Sequence, residues 1–225
     1  MPLARRTQLL RWAGEQEEGW LLEDDYDSEF RYSSRPIPAM QGVDKLGKVV
    51  YLGTFSRSIA PSIRVAYAVL PPALLKRYYE RFSRTSCTVS RFEQETLRRF
   101  LTEGGYTAHL RRMNNLYRRR MAQVTGLLTD AFPDGRVSGT EAGLHFLFTL
   151  PRLPEKELIE RAEEAGVEVR GLSAYCRGNC PLDSTLVLGF AGLDEKSLRR
   201  MDPDDRVAAL EGAGLDPYDY IFLAY

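Results

Sequence analysis

The sequence is poor in several residue types on which whole classes of protein depend. Its 225 residues include three cysteines, two histidines and five lysines, and 31 basic side chains are balanced by 31 acidic ones. Three cysteines are too few for the disulfide framework of a small secreted domain, so we expect a reducing, cytoplasmic location. A formal net charge of zero excludes a nucleic-acid partner held mainly by bulk charge.

Long apolar runs are also missing. The longest, such as residues 144–150, are far too short to span a bilayer. The first six residues, MPLARR, lack the apolar stretch of a secretory signal. We therefore expect no membrane partner. What the sequence does have is 44% hydrophobic residues, with 12 Tyr, 10 Phe and 2 Trp, which is the composition of a globular chain with ample core.

Strand-like apolar runs alternate with helix-like amphipathic ones. The spacing predicts helices over residues 3–17, 71–84, 90–102, 106–132 and 154–165. It predicts strands at 20–22 (short and buried), 49–52, 63–69, 137, 143–150, 167–171 and 186–190. This alternation favours an α/β or α+β layer architecture. A boundary at the start of the long helix divides the chain into domains over residues 1–105 and 106–200, followed by an atypical tail over residues 201–225.

An acidic run follows the first predicted strand, where residues 23–32 read EDDYDSEFRY. Strand alternation sends Asp24 and Tyr26 to one face and Asp25 to the other. Sheets of this class bind ligands at the carboxyl ends of their strands. A carboxylate buried there would need a cationic partner, such as a protonated ring nitrogen. By itself the run is also compatible with a solvated acidic loop, and that alternative stays open.

A second candidate is the hydroxyl-rich segment GTFSRSIAPS at residues 53–62, between two predicted strands. Thr54 and Ser56 offer hydroxyls, and Arg64 offers a planar guanidinium suited to a phosphate. The segment lacks the Gly-x-x-x-x-Gly-Lys pattern, which excludes a P-loop. Ser/Thr-rich turns are common between strands, so an ordinary turn is the alternative here.

Taken together, the two motifs resemble the aminotransferase-like domain of MocR-type regulators of the GntR superfamily, which are built on fold-type I pyridoxal 5'-phosphate (PLP) enzymes. The likeness covers roughly residues 2–200. It continues through the runs GYTAHLRRM at 105–113, AGLH at 142–145, GVEV at 166–169, LSAY at 172–175 and LGFA at 188–191. It implies a partial fold-type I large domain, with a mostly parallel sheet and helices, followed by a small α+β domain.

The resemblance also implies roles for individual residues. Asp24 would pair with the pyridine nitrogen of PLP, and Tyr26 would hydrogen-bond the ring hydroxyl. The phosphate would be held by Thr54, Ser56 and Arg64. A buried aspartate at this position keeps the ring nitrogen protonated, which makes the ring an electron sink.

The sequence departs from the family at the position of the Schiff-base lysine, where it has Arg57. A guanidinium stays protonated at neutral pH, whereas imine formation needs a neutral amine. We expect Arg57 to contact an anion and to leave the chain without a catalytic residue. The family also has a winged helix-turn-helix, a linker and the first part of the PLP domain ahead of the residues that match here. We therefore expect this chain to be the C-terminal portion only, with DNA binding assigned to the absent domain.

These expectations lead to one interpretation and two alternatives. The interpretation is a PLP-binding, effector-sensing domain that responds to a small amine or amino acid and forms a homodimer. The first alternative is an active PLP-dependent aminotransferase acting on an amino acid or amine. The second is a folded remnant that binds no ligand and whose surfaces serve only association. Cys176 and Cys180 resemble half a zinc site, but both histidines are remote in the sequence, so we expect a loop with ordinary thiols and no metal.

Overall fold

The computed structural model describes residues 1, 3–26, 28–32, 38–164, 167–180 and 182–193. The predicted tail over residues 201–225 lies outside these ranges. The chain splits into two compact units, one made of residues 1–29 and 34–111, the other of residues 30–33 and those from 112 onward. This split falls within one long helix, between Arg111 and Arg112. The domain boundary at residue 105 stays a prediction.

The first unit contains a mixed three-stranded sheet. Its strands are β1 (Leu21–Asp25), β2 (Val49–Thr54) and β3 (Ala66–Val69), in that order across the sheet. Its helices are α1 (Leu3–Glu15), α2 (Met40–Val43), α3 (Pro72–Phe82) and α4 (Arg91–Thr102). The β1–β2 pair is parallel and the β2–β3 pair antiparallel. The carboxyl ends of β1 and β2 therefore lie at the same edge.

Local sequence signals explain where the helices of this unit begin. Pro72 occupies the first turn of α3, where its fixed φ suits a helix and its missing N–H costs nothing. Ser90 caps α4, and its Oγ accepts a hydrogen bond from the N–H of Phe92. The predicted starts of these helices therefore agree with the structure to within a residue.

The second unit is built around an antiparallel four-stranded sheet. The long helix α5 (Gly105–Ala131) leads into it, and α6 (Glu155–Glu164) follows later in the chain. The strands are β4 (Arg136–Ser138), β5 (His145–Thr149), β6 (Arg170–Gly171) and β7 (Thr185–Gly189), in the order β4-β5-β7-β6. A contiguous apolar core joins alternate residues of β5 and β7 to the two helices. It includes Met121, Val124, Leu128, Phe146, Phe148, Leu158, Ala162, Leu186, Leu188 and Phe190.

The structure corrects three local expectations. The first strand is not buried throughout, because β1 lies at the edge of the described sheet and Leu22 is 69% exposed. The third strand begins at Ala66 and not at residue 63, because Pro61–Ile63 form a 3-10 turn. Cys176 and Cys180 are joined in a disulfide and are not free thiols, since the loop brings their Cα atoms to 5.5 Å.

A buried carboxylate ties β1 to the segments that pack against it. Glu23 is 8% exposed and accepts hydrogen bonds from the N–H groups of Met40 (2.8 Å) and Gln41 (3.0 Å). It also accepts one from the Arg6 guanidinium on α1, at 3.4 Å. Glu23 therefore holds α1 and α2 in place around the strand that leads into the acidic run.

We expect Glu23→Gln to lower the free energy of unfolding by about 1–3 kcal/mol. The substituted amide offers one acceptor oxygen, and its NH₂ group faces a backbone donor. Urea unfolding followed by circular dichroism measures the change, with Glu80→Gln on the exposed surface of α3 as the matched control. An unfolding free energy equal to that of the wild type would contradict this account of Glu23.

Candidate functional site

The structure places the predicted acidic and hydroxyl residues around the carboxyl ends of β1 and β2. In the parallel ladder Asp24 is opposite Leu52, and Asp25 is opposite Gly53. Alternation therefore puts Asp24 and Thr54 on one face of the sheet. Asp24 is exposed there and not buried as the sequence predicts, and among the described residues it has no hydrogen-bond or ion-pair partner. Tyr26, just past the end of β1, is 44% exposed.

The opposite face holds a polar cluster that the sequence did not reveal. Asp25 Oδ2 accepts hydrogen bonds from the hydroxyls of Tyr51 (2.9 Å) and Ser28 (2.7 Å). The ring of Tyr67 lies over Gly53 so closely that a Cβ at that position would collide with it. Burial, reinforced by Asp25, raises the pKa of Tyr51 well above its usual range, and burial also raises the pKa of Tyr67. Both phenols therefore remain protonated around neutral pH.

This cluster separates the roles of the two aspartates. Asp25 is engaged in holding the strand ends together, through donors on β2 and on the turn after β1. Asp24 faces the other way with its carboxylate free of protein partners among the described residues. Asp24 is thus the carboxylate available to a ligand.

Residues 54–64, here called the hydroxyl loop, run from the last residue of β2 through the turn Pro61–Ile63 to Arg64, two residues before β3. The Thr54 hydroxyl accepts a hydrogen bond from the N–H of Ser56 (3.1 Å) and donates to the carbonyl of Val65 (3.3 Å). These two hydrogen bonds hold Thr54, Ser56 and Val65 together where the two ends of the loop meet. Val65 directly follows Arg64 in the chain.

Arg64 adopts a left-handed backbone conformation, with φ 47° and ψ 32°. Only a few per cent of non-glycine residues have a positive φ, and such positions concentrate at ligand-binding sites. Arg57 and Arg64 are both exposed, and neither has a hydrogen-bond or ion-pair partner among the described residues. A loop that carries two such guanidinium groups and two hydroxyls has the chemistry of an anion site.

One residue of the hydroxyl loop is buried and fixed by α5. Ser58 is 1% exposed, its Oγ is 3.1 Å from the Tyr106 hydroxyl, and its carbonyl oxygen is 2.8 Å from His109 Nε2. The Tyr106 hydroxyl also donates to Glu29 Oε1 at 3.3 Å. Burial raises the pKa of Tyr106 to about 12, so its phenol is neutral at physiological pH. The only hint in the sequence was the spacing of Tyr106 and His109, which are three residues apart on a predicted helix.

Two other kinds of feature, a metal site and a membrane span, are absent from the described part of the chain. No group of three or more His, Cys, Asp or Glu side chains comes together there in a way that could hold a metal ion. None of the helices in the described ranges combines the length and the apolar character that crossing a membrane requires.

Comparison with known proteins gives two curated relatives of high similarity. The chain is 41% identical over 202 residues to the uncharacterized HTH-type transcriptional regulator YdeL of Bacillus subtilis, covering 88% of this chain and 43% of the relative. It is 37% identical over 223 residues to the probable rhizopine catabolism regulatory protein MocR of Rhizobium meliloti, covering 97% of this chain and 45% of the relative. The chain thus spans less than half the length of either relative. No protein-family model matches.

The structure is similar to solved aminotransferases. The kynurenine aminotransferase of Pyrococcus horikoshii, solved in complex with PMP, superimposes with a TM-score of 0.75 at 28% identity, covering 96% of this chain and 53% of that one. The predicted resemblance to MocR-type regulators and the predicted fold-type I aminotransferase-like α/β class are therefore confirmed. The assignment of individual site residues stays a prediction.

Proposed function

Because this chain is homologous to the aminotransferase-like portion of MocR-type regulators, we propose that it is a PLP-binding, effector-sensing domain without transaminase turnover. The proposal is carried by two features of the chain. Asp24, Arg57 and Arg64 have no hydrogen-bond or ion-pair partner within the described ranges, and the hydroxyl loop that holds the two arginines contains no lysine. The loop supplies groups that bind a phosphate. It lacks the amine that would attach the cofactor covalently.

The chemistry of the donor set fits PLP. The left-handed Arg64 and the Ser56 hydroxyl would hold the phosphate, which is a dianion that such groups recognise. The Thr54 hydroxyl would join them by turning its one proton from the Val65 carbonyl to a phosphate oxygen. Asp24 would face the protonated ring nitrogen, and Tyr26 would meet the ring hydroxyl. When bound, PLP supplies an electron-withdrawing ring that can stabilise negative charge on a ligand. The related aminotransferase that was solved with PMP, the amine form of the same cofactor, supports this assignment.

Arg57 is the residue that favours effector sensing over transaminase turnover. Its guanidinium stays protonated around neutral pH, so it can neither attack an aldehyde nor move a proton to and from a carbon atom. It can hold an anionic group, such as the carboxylate of an amino-acid effector. We infer that this residue keeps the cofactor non-covalent.

The second candidate function is an active aminotransferase that recruits a lysine from elsewhere, favoured by the similarity to aminotransferases of known structure. The positions of the lysines argue against an active aminotransferase. The Lys48 ammonium donates to the carbonyls of Gln16 (2.8 Å) and Glu17 (2.9 Å) and lies over the ring of Trp20. The hydroxyl loop itself contains no lysine.

The partners follow from the same reading. The effector would be a small amine or amino acid, and a homodimer is expected because sites of this fold are built at subunit interfaces. DNA would be contacted only through a domain outside this chain, and the protein would act in the cytoplasm. The two relatives with similar sequences are named as an HTH-type transcriptional regulator and a catabolism regulatory protein, which supports a regulatory role.

Borohydride reduction of the protein with one equivalent of PLP, followed by peptide mapping, separates the two candidates. We expect no phosphopyridoxyl group on any lysine above the level found in the urea-unfolded chain, because no lysine lies in the hydroxyl loop. A stoichiometric adduct on one lysine of the folded protein would replace the sensing proposal with the aminotransferase.

A further inference from the structure

Ser58 is the one buried residue of the hydroxyl loop, whose other residues are half-buried or exposed. Its neighbour Arg57 is exposed and Ser56 is half-buried, whereas Ser58 is 1% exposed. A buried serine at the centre of a polar loop must have its hydroxyl and its backbone groups satisfied. Both the side chain and the carbonyl group of Ser58 find their partners on α5.

Those partners are three residues apart, on one face of the helix. The Tyr106 hydroxyl lies 3.1 Å from Ser58 Oγ, and His109 Nε2 lies 2.8 Å from the Ser58 carbonyl oxygen. Because a carbonyl oxygen only accepts, Nε2 of His109 must carry the proton of this hydrogen bond. Two side chains near the N-terminus of α5 therefore bind the loop through two atoms of Ser58.

Aromatic packing in turn fixes the side chains of Tyr106 and His109. The Tyr106 ring lies against Phe55 and Phe100, with centroids 5.9 and 6.2 Å apart, and His109 lies 6.2 Å from Phe100. The Phe100 ring comes so close to Gly105 that a Cβ at that position would collide with it. Glycine at the first residue of α5 thus lets the helix begin directly on Phe100. Tyr106 and His109 are held in place without any ligand.

We propose that Tyr106 and His109 are positioning residues that preorganise the hydroxyl loop for its phosphate through Ser58. Holding Ser58 restrains Arg57 and Ser56, one and two residues earlier, and so fixes the donors that face the anion. A loop that is ordered before binding loses less conformational entropy on binding, which raises affinity. The part of this proposal that concerns the cofactor rests on the proposed PLP function.

Hydrogen exchange of the ligand-free protein tests whether Tyr106 and His109 restrain the hydroxyl loop. Three amides of the loop report its opening, since Phe55 N–H donates to the Val65 carbonyl, Ser56 N–H to Thr54 Oγ1 and Ile59 N–H to the Phe55 carbonyl. We expect Tyr106→Phe, which keeps the ring packing, to speed exchange in peptides covering residues 54–60 by about tenfold. Tyr117→Phe, elsewhere on α5, is the matched control and should leave these peptides unchanged.

The histidine contact is tested by a pair of variants. His109→Leu removes the donor to Ser58 and should speed exchange in the same peptides, whereas His109→Gln keeps an N–H donor and should restore part of the protection. Should His109→Leu fail to fold, Tyr106→Phe and His109→Gln still carry the test. Exchange over residues 54–60 that equals the wild type in folded Tyr106→Phe would overturn the proposal.

Affinity supplies the second readout. The dissociation constant for PLP, measured by absorbance titration, should rise about 5- to 30-fold in Tyr106→Phe and stay unchanged in Tyr117→Phe. Faster exchange with unchanged PLP affinity would overturn the positioning role. If wild-type protein binds no PLP, the proposed function fails, while the exchange experiment still decides whether Tyr106 and His109 hold the loop.

Discussion

Arg57→Lys is expected to convert non-covalent PLP binding into covalent attachment. Borohydride reduction should then fix close to one equivalent of cofactor on Lys at position 57, and the protein should gain the visible absorbance of an imine. The physical reason is that a lysine amine reaches its neutral, nucleophilic form far more readily than a guanidinium does. The rest of the donor set, Asp24, Thr54, Ser56 and Arg64, is unchanged by the substitution.

Two comparisons make this experiment specific. Arg77→Lys, on the exposed surface of α3, adds a lysine of the same chemistry away from the loop and should gain neither absorbance nor adduct. Arg57→Lys protein that binds PLP and still forms no adduct would contradict the placement of residue 57 beside the cofactor aldehyde. Loss of binding altogether would contradict the claim that Asp24, Thr54, Ser56 and Arg64 hold the cofactor without the Arg57 guanidinium.

The second large effect is expected at Arg64. Arg64→Gln removes a charge-assisted contact to the phosphate and should weaken PLP binding by about 10- to 100-fold. Competition by inorganic phosphate should weaken in parallel, because phosphate alone uses the same contact. Arg81→Gln, near the exposed end of α3, is the matched control and should leave both affinities unchanged.

The backbone of Arg64 provides a sharper version of this test. Arg64 has φ 47°, a conformation that glycine adopts without strain. Arg64→Gly should therefore lose PLP affinity as fully as Arg64→Gln, while its thermal midpoint stays at or above that of the glutamine variant. If Arg64→Gly retained wild-type affinity, the guanidinium would have no part in binding.

The fold was largely predictable because its signals are local. Pro72 and Ser90 mark helix starts by their own chemistry, and the apolar stripe of α5 has helical spacing over its whole length. The alternation that sends Asp24 and Asp25 to opposite faces is also a property of any strand. Those features need no knowledge of what lies next to them in space.

The features that escaped prediction depend on partners distant in sequence. Ser58 looks like any loop serine, and only Tyr106 and His109, 48 and 51 residues away, explain its burial. Alternation separates Asp25 from Asp24, but the hydrogen bond that engages Asp25 comes from Tyr51, 26 residues further along the chain. The exposure of Leu22 likewise follows from the position of β1 at the sheet edge, which composition does not encode.

The most direct measurement of the central claim is a spectral titration of the ligand-free protein with PLP, in parallel with Asp24→Ala. The account predicts a saturable absorbance change with wild-type protein that inorganic phosphate reverses, and a markedly weaker response when the carboxylate is removed. Absence of any saturable change with wild-type protein, or identical curves for the two proteins, would contradict it.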